Sequence, residues 1–585
     1  MKSLKSLSLA VVAIVVAQAA FAAEPAWIAR SNENSRLLLQ LMAKYSPESA
    51  TRIGVDGYEE KIADLSRDKF DAEQADYRAV IEQYRQRLAT EQDSKVKQDL
   101  EILIGAAQDS ITSNALERKY FFPFIDLTSM LFGVTRATLD PRVPAAQQKS
   151  LLVRLRKYAG LERGFKPVTE LARERTLERI KADDKLLGPY RGEVEQALNS
   201  APALISGMRE LLVKSKLKGW ERSYAALTRQ LIDYNSWLKS DILPRARTDS
   251  RLPPEVYADN LRQVGVDIPP EELISRALIA FAELRVEMSI TAAQVAKENG
   301  LKDRDYRAVI RQLKLQQIAP SDVLPLYKQR LAEIEAIIRK EDIVSLPDRA
   351  ASIRVATAAE NAQQPAPHMS PPRLIGNTGE YGEFVLTTGM SPDASGKSLA
   401  FDDFTHPAIT WTLTAHEARP GHELQFAKMI ESGVSIARAV FAFNSVNAEG
   451  WALYAEAEVQ PYEPADGQLF TLMMRAHRAA RAFLDPMVNL GQIAPDGVKA
   501  FLMNEVGLSE GMAAQEVQRY TFRAPGQATS YFYGYQRLME TRQRAQLALG
   551  GKFDRKAFND FVLAQGLLPP DLLRQAVMTE FVPSR

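Results

Sequence analysis

The sequence predicts a mainly α-helical protein with one small β element. Apolar residues recur at three-to-four spacing along most of the chain, as in Leu37, Leu38, Leu41 and Met42, or Val80, Ile81, Tyr84 and Leu88, which is the signature of one buried helix face. Only Tyr381 to Thr388 (YGEFVLTT) concentrates β-formers between turn residues. No period of about 20–50 residues repeats, which excludes a solenoid.

Composition narrows the class. The 585 residues are enough for one large domain or several ordinary ones. Hydrophobic residues make up 46% and charged residues 25%, as in ordinary globular proteins. The net charge of +1, from 74 basic and 73 acidic residues, predicts no nucleic-acid partner and no polybasic membrane contact. Lys2 and Lys5, the apolar run Leu9 to Ala17 and the triplet Ala20-Phe21-Ala22 read as a secretory signal peptide over 1–22, cleaved near Ala22. The run is too short to span a bilayer comfortably, so the expected location is periplasmic or secreted, without membrane attachment after cleavage. There is no cysteine, which removes disulfides, thiolate metal sites, a cysteine nucleophile and the attachment residue of a lipoprotein.

In chain order, Asn32 to about Leu116 is helical, and the aromatic cluster Tyr120 to Phe124 breaks the pattern as a core plug. Gln147 to Arg173 and Leu177 to Trp237 read as amphipathic helices interrupted at Pro189 and Pro202. The proline- and charge-rich stretch Ile242 to Pro254 is the expected boundary between an N-terminal helical lobe (23–245) and a second lobe (246–585), the two forming one continuous unit. Pro270-Glu271-Glu272 opens a helix with Leu278, Ile279, Phe281 and Leu284 as its apolar stripe, and Val323 to Arg339 forms another. The mixed-sign run Arg304 to Lys314 reads as a solvated face. Four prolines between Gln363 and Pro372 impose an extended passage, with His368 read as a surface residue. A strand follows, then a loop at Ser391 to Lys397. Thr405-His406-Pro407 precedes a helix that runs into His416, and helices continue at Gln468–Asn489, Asp496–Val506, Ser509–Tyr520, Ala528–Leu549 and Arg555–Gln565.

The chemistry concentrates in His416-Glu417-Ala418-Arg419-Pro420-Gly421-His422 and Glu449-Gly450-Trp451-Ala452-Leu453-Tyr454-Ala455-Glu456. Hydrolytic zinc sites need imidazoles or carboxylates on one ion and a carboxylate beside the open position. Histidines four apart on a helix meet that need, but these are six apart, which leaves the second roughly 120° away on a straight helix. Pro420 cannot bond the His416 carbonyl and crowds it, while Gly421 widens the backbone choices. A distorted or broken helix between Ala418 and Gly421 is therefore expected, returning His422 to the side of His416. Glu449 and Glu456, seven apart, fall within about 20° of each other on one helix face. Carboxylates on so apolar a helix are costly to bury unless paired or metal-bound.

These two motifs resemble the signature of a bacterial family labelled domain of unknown function 885, which is similar in turn to the large helical zinc peptidases that include angiotensin-converting enzyme, thimet oligopeptidase and carboxypeptidase Taq. The resemblance implies a large two-lobed helical metallopeptidase-like fold with a deep cleft and the β element near the active site. It implies one zinc ion held by His416, His422 and Glu449, with Glu417 as general base and Glu456 orienting a ligand. It also implies that Tyr531 stabilises the oxyanion, with Tyr535 one turn away as the second candidate, and that the strand Phe384 to Thr388 offers an edge to an extended peptide. Arg523 is a candidate for holding a substrate carboxylate. His406 is a further candidate at the site, and His477, among Arg475, Arg478 and Arg481, reads as a surface residue or a ligand-supporting one. The expected activity is hydrolysis of short peptides. The alternatives are a metal-dependent hydrolase of non-peptide amides or esters, and a catalytically silent peptide-binding protein.

Overall fold

The helical periodicity resolves into long helices packed on one another. The computed structural model describes residues 25–377, 379–387 and 399–585; the signal peptide expected at 1–22, Thr388 and the loop expected at Ser391–Lys397 lie outside the described residues. Helices Ala26–Tyr45, Lys69–Thr90 and Ser94–Tyr120 form the first layer. The last starts where Asp93 accepts hydrogen bonds from the Lys95 and Val96 amides, satisfying two donors that have no helical partner. The protein is 70% helix and 3% strand, so packing between helices, not between sheets, builds the core.

The largest apolar core lies between helices Pro270–Glu298 and Ala465–Asn489, where Phe281 meets Phe483 edge to face at 5.7 Å. The stripe of the first of these helices differs from the expected one. Leu273, Ile274, Ala277, Phe281, Leu284 and Met288 are buried, whereas Leu278 and Ile279 are exposed; a stripe at i, i+3, i+4 and i+7 leaves neighbouring apolar residues outside. Pro202, expected to interrupt its helix, sits inside Arg191–Lys214. Buried Ala197, Ala201, Leu204 and Met208 on the same helix outweigh the one hydrogen bond that proline removes. Lys314, read as part of a solvated face, is buried against Asp402 (2.7 Å) and Asp403 (2.9 Å). No described helix is long and apolar enough to cross a membrane.

The β element is a three-stranded sheet: β1 (Ser352–Val355), β2 (His368–Ser370) and β3 (Glu383–Leu386), in the order β1-β3-β2. β3 runs parallel to β1 and antiparallel to β2, with His368 opposite Val385 and Met369 opposite Phe384. The expectation of a free edge at Phe384 to Thr388 is thus corrected. Phe384, Val385 and Leu386 are all buried, and a strand apolar on both faces belongs in the middle of a sheet. Among the described residues the outer edges of the sheet are those of β1 and β2.

Candidate metal centre

The helix that carries His416 runs from Ile409 to Glu417 and every residue in it is buried. It ends where Ala418 leaves helical geometry (φ −103°, ψ −103°), and a new helix begins at His422 and runs to Ser432. The Arg419–Pro420 bond is cis. Gly421 is needed for space: a Cβ there would lie 1.9 Å from the His416 carbonyl oxygen and 2.4 Å from that of Ala415. The break is fastened on both sides. The Trp451 indole donates to the Pro420 carbonyl at 2.9 Å, and buried Arg419 donates to Glu423 (2.8 Å) and Glu335 (2.5 Å). The six-residue spacing is thereby converted into two histidines on one spot, their rings 4.8 Å apart and nearly perpendicular.

Glu449 meets them from the helix Ser445–Val459, which Asn444 caps by accepting from the Asn447 amide at 2.8 Å. Its Oε2 lies 3.4 Å from His416 Nε2 and 3.3 Å from His422 Nε2. One ligand atom from each of the three side chains falls within 4.8 Å of the others. Two turns further along the same helix face, Glu456 accepts from His416 Nδ1 at 2.6 Å and from the Thr412 hydroxyl at 2.7 Å. A carboxylate on Nδ1 fixes the ring so that Nε2 presents its lone pair to the cluster. Burial opposes a charge on His416, but Glu449 and Glu456 raise its pKa to about 9. The two carboxylates thus favour positive charge at this point of the cluster.

Tyr531 stands against this cluster, its ring parallel to that of His416 within 13° at 6.1 Å. Helices Ser445–Val459 and Ser530–Leu549 cross backbone to backbone: a Cβ on Gly534 would be 2.0 Å from the Val446 carbonyl oxygen, and one on Gly450 2.5 Å from the Gly534 carbonyl carbon. The glycines of the EGW and YFYGY segments bring Glu449 and Tyr531 together. The Arg519 guanidinium donates to the Tyr531 hydroxyl at 3.4 Å, while those of Arg481 and Arg478 lie 4.5 and 5.8 Å from its ring. Burial and the Glu449 carboxylate push the hydroxyl pKa up, so Tyr531 stays protonated and is available as a donor. Buried Glu516 binds Arg481 through both oxygens, at 2.7 and 2.8 Å, and lies 3.6 Å from Arg519.

Three expected residues lie elsewhere. The Tyr535 hydroxyl accepts from Arg475 at 3.2 Å and makes no contact with the ligand cluster. Arg523 is exposed, donating to the Gln518 side chain (3.1 Å) and the Gln363 carbonyl (3.3 Å); Arg519, one turn earlier, reaches Tyr531 instead. His406 is fully buried, 4.4 Å from the Phe470 ring, and stands outside the ligand cluster. His477, read as a surface or supporting residue, is also fully buried and lies 3.6 Å from Glu516.

His406 and His477 carry a pH prediction. Burial first, then Lys314 for His406 and Arg481 for His477, lowers each pKa to about 3. The unfolded chain, with pKa near 6.5, takes up these protons first, so stability falls as pH drops below about 6.5. Between pH 7 and pH 5 each histidine is expected to cost about 2 kcal/mol. Urea melts at the two pH values measure the loss, and His406→Phe, which keeps a ring against Phe470, should reduce it.

Sequence reasoning missed His368 and the arginine group. His368 sits on β2, where Nδ1 lies 3.1 Å from the Ala366 carbonyl. Burial lowers its pKa, an effect that this carbonyl and the Glu417 carboxylate only partly offset. The neighbouring Met369 packs against Phe426 and Met429 of the His422 helix. The available signal for the arginines was their setting: Arg478 and Arg481 interrupt the otherwise apolar LFTLMMRAHRAARAFL, where a charge has to be paired.

No curated protein matches the chain. Among solved structures it is similar to a candidate lipoprotein of unknown function from Shewanella oneidensis, at 18% identity and a TM-score of 0.69. It is also similar to a candidate lipoprotein from Colwellia psychrerythraea, at 18% identity and 0.74. Each likeness covers 95% of this chain and 100% of the other and shows a common fold. The family model described as bacterial protein of unknown function (DUF885) matches residues 47–577, and the chain therefore belongs to that family.

Proposed function

We propose that this protein is an exported zinc-dependent peptidase that hydrolyses short peptides in a cleft between two helical lobes. The observation that carries the reading is the convergence of His416, His422 and Glu449, with Glu417 next to the first ligand and Tyr531 facing it. The donor set fits zinc. Two imidazole nitrogens and one carboxylate oxygen are a common catalytic set, one imidazole is oriented by a buried carboxylate, and Glu449 Oε2 is buried without a hydrogen bond. The likeness to candidate lipoproteins and the leader-like first 22 residues support export.

When bound, the ion supplies a Lewis acid that polarises a carbonyl and acidifies water. Glu417, half a turn or less from the ligand at 416, takes the proton of the attacking water and returns it to the leaving amine nitrogen. Tyr531 donates to the substrate oxygen as negative charge develops there. Because Arg519 donates to the Tyr531 oxygen, the tyrosine hydrogen is left free for the substrate. Glu516 holds Arg481 and faces Arg519, keeping this donor in place.

Measuring bound metal in purified protein and turnover of blocked and unblocked peptides tests the reading. About one zinc per chain with peptide turnover is the expected result; a metal-free active protein, or a metal-loaded one inert toward all peptides, would overturn it. Ester or acyl-amide turnover without peptide turnover would point to the non-peptide hydrolase. Glu456→Gln is expected to weaken zinc affinity by about 10–100-fold, measured by competition with a chelator.

A further inference from the structure

A cavity of about 440 Å³ opens beside the candidate centre, between the N-terminal helices and the three-stranded sheet. It is of ligand size. Two elements tie it to the metal centre. Phe426, one turn after His422, lines it, and so do Ser370 and Pro371, the end and continuation of β2. An extended chain laid along the outer edge of β2 from His368 would reach Pro371, on the cavity wall, after about 10 Å, and Phe426 sets that same wall one turn from His422.

The lining is cationic: Arg52, Arg136, Arg142, Arg354 and Arg373 face Asp140, Glu360 and Glu380. Glu383 adds a fourth carboxylate behind Arg354, at 3.0 Å. Three of the arginines are spent on structure. Arg142 pairs with Asp140 (2.8 Å) and donates to the Ser370 hydroxyl (2.9 Å) and the Tyr381 carbonyl (3.0 Å). Arg354 is held by Glu360 and Glu383, and Arg373 by Glu380 at 2.5 Å. Arg136 shares Glu360 with Arg354 at 3.5 Å, and its Nε is buried without a hydrogen bond. Arg52 makes no hydrogen bond or ion pair among the described residues and is exposed.

We infer that this cavity is a substrate subsite in which Arg52 and Arg136 bind a carboxylate of the peptide. The group could be an acidic side chain or the free C-terminus, since both present the same planar anion to a guanidinium. The apolar wall of Phe426, Val440 and Phe443 accommodates the carbon atoms that carry it. The inference rests on the peptidase reading for its substrate but not for its anion preference.

The experiment pairs two readouts. Fluorescence anisotropy of labelled pentapeptides on zinc-loaded Glu417→Gln protein measures binding without turnover, and steady-state kinetics on the wild type measures kcat and KM. Three peptides are compared: an acidic one, its Gln-for-Glu counterpart, and the acidic one with an amidated C-terminus. The expected result is tighter binding and lower KM, by about tenfold or more, for the two peptides that keep the recognised carboxylate than for the one that lacks it, a preference reduced toward unity by Arg52→Ala or Arg136→Gln. Loss of preference in the Gln peptide identifies a side-chain subsite, and loss on amidation identifies a C-terminal one. Arg52→Ala changes an unpaired exposed residue, so it tests the subsite even if Arg136→Gln unfolds the chain. Equal binding of all three peptides, or a preference that both variants leave intact, overturns the inference while peptide turnover upholds the peptidase reading. A carboxylate preference abolished by Arg52→Ala in a protein that cleaves no peptide upholds the subsite and removes the peptidase reading. No binding and no turnover overturns both.

Discussion

Glu417→Gln is expected to lower kcat for peptide hydrolysis by about 10²–10⁴-fold, the usual contribution of a positioned general base, with zinc content unchanged. Glu417 is 8% exposed, it follows the proposed ligand His416 directly, and it lies outside the His416–His422–Glu449 cluster. The glutamine is nearly isosteric, so the fold and the three ligands should persist. It cannot accept the proton of water at neutral pH, and the loss should fall on kcat with KM little changed. Metal analysis, circular dichroism and steady-state kinetics on one preparation separate the effects. An unchanged kcat would remove Glu417 from the chemistry, whereas lost zinc would make it a structural support of the centre.

The parts of the site legible in the sequence are those where local covalent geometry decides. Two histidines six positions apart, with proline and glycine among the five residues between them, leave few conformations that bring both rings to one point, and the observed break at Ala418 to Gly421 is one of them. The seven-residue separation of Glu449 and Glu456 likewise sets both on one helix face, where they bracket the His416 ring from its two nitrogens. What was not legible depends on long-range packing. Tyr531 and Tyr535 share a helix face, yet only the helix crossing at Gly450 and Gly534 decides which of them faces the ligands. Arg478, Arg481 and His477 read as a polar helix face because their counter-charges, Glu456 and Glu516, come from distant segments. The pairing of β3 on both sides was hidden for the same reason: a four-residue strand does not announce how many neighbours it has.

Gly421→Ala should remove the proposed metal centre from a chain that still folds. The new Cβ would sit 1.9 Å from one carbonyl oxygen and 2.4 Å from a second, both of them backbone atoms of the His416 helix, which no side-chain rotation can clear. That helix is buried over its whole length, so the strain is relieved by moving the His422 helix outward by more than an ångström. His422 Nε2 would leave the 3.3 Å contact with Glu449, and a shift of about 1 Å is already enough to cost about 10²-fold in rate. Zinc affinity should fall at least as far as it does in Glu456→Gln, because a ligand is displaced and not merely reoriented. The overpacking itself is expected to cost about 1–3 kcal/mol of stability, measurable by urea unfolding in the presence of a chelator. The informative comparison is Pro420→Ala, which adds no atoms to the crowded point. If Pro420→Ala retains zinc while Gly421→Ala loses it, close approach at Gly421 sets the histidine spacing. If Gly421→Ala binds zinc as tightly as the wild type, the two helices are free to adjust and the break is not what holds the site together.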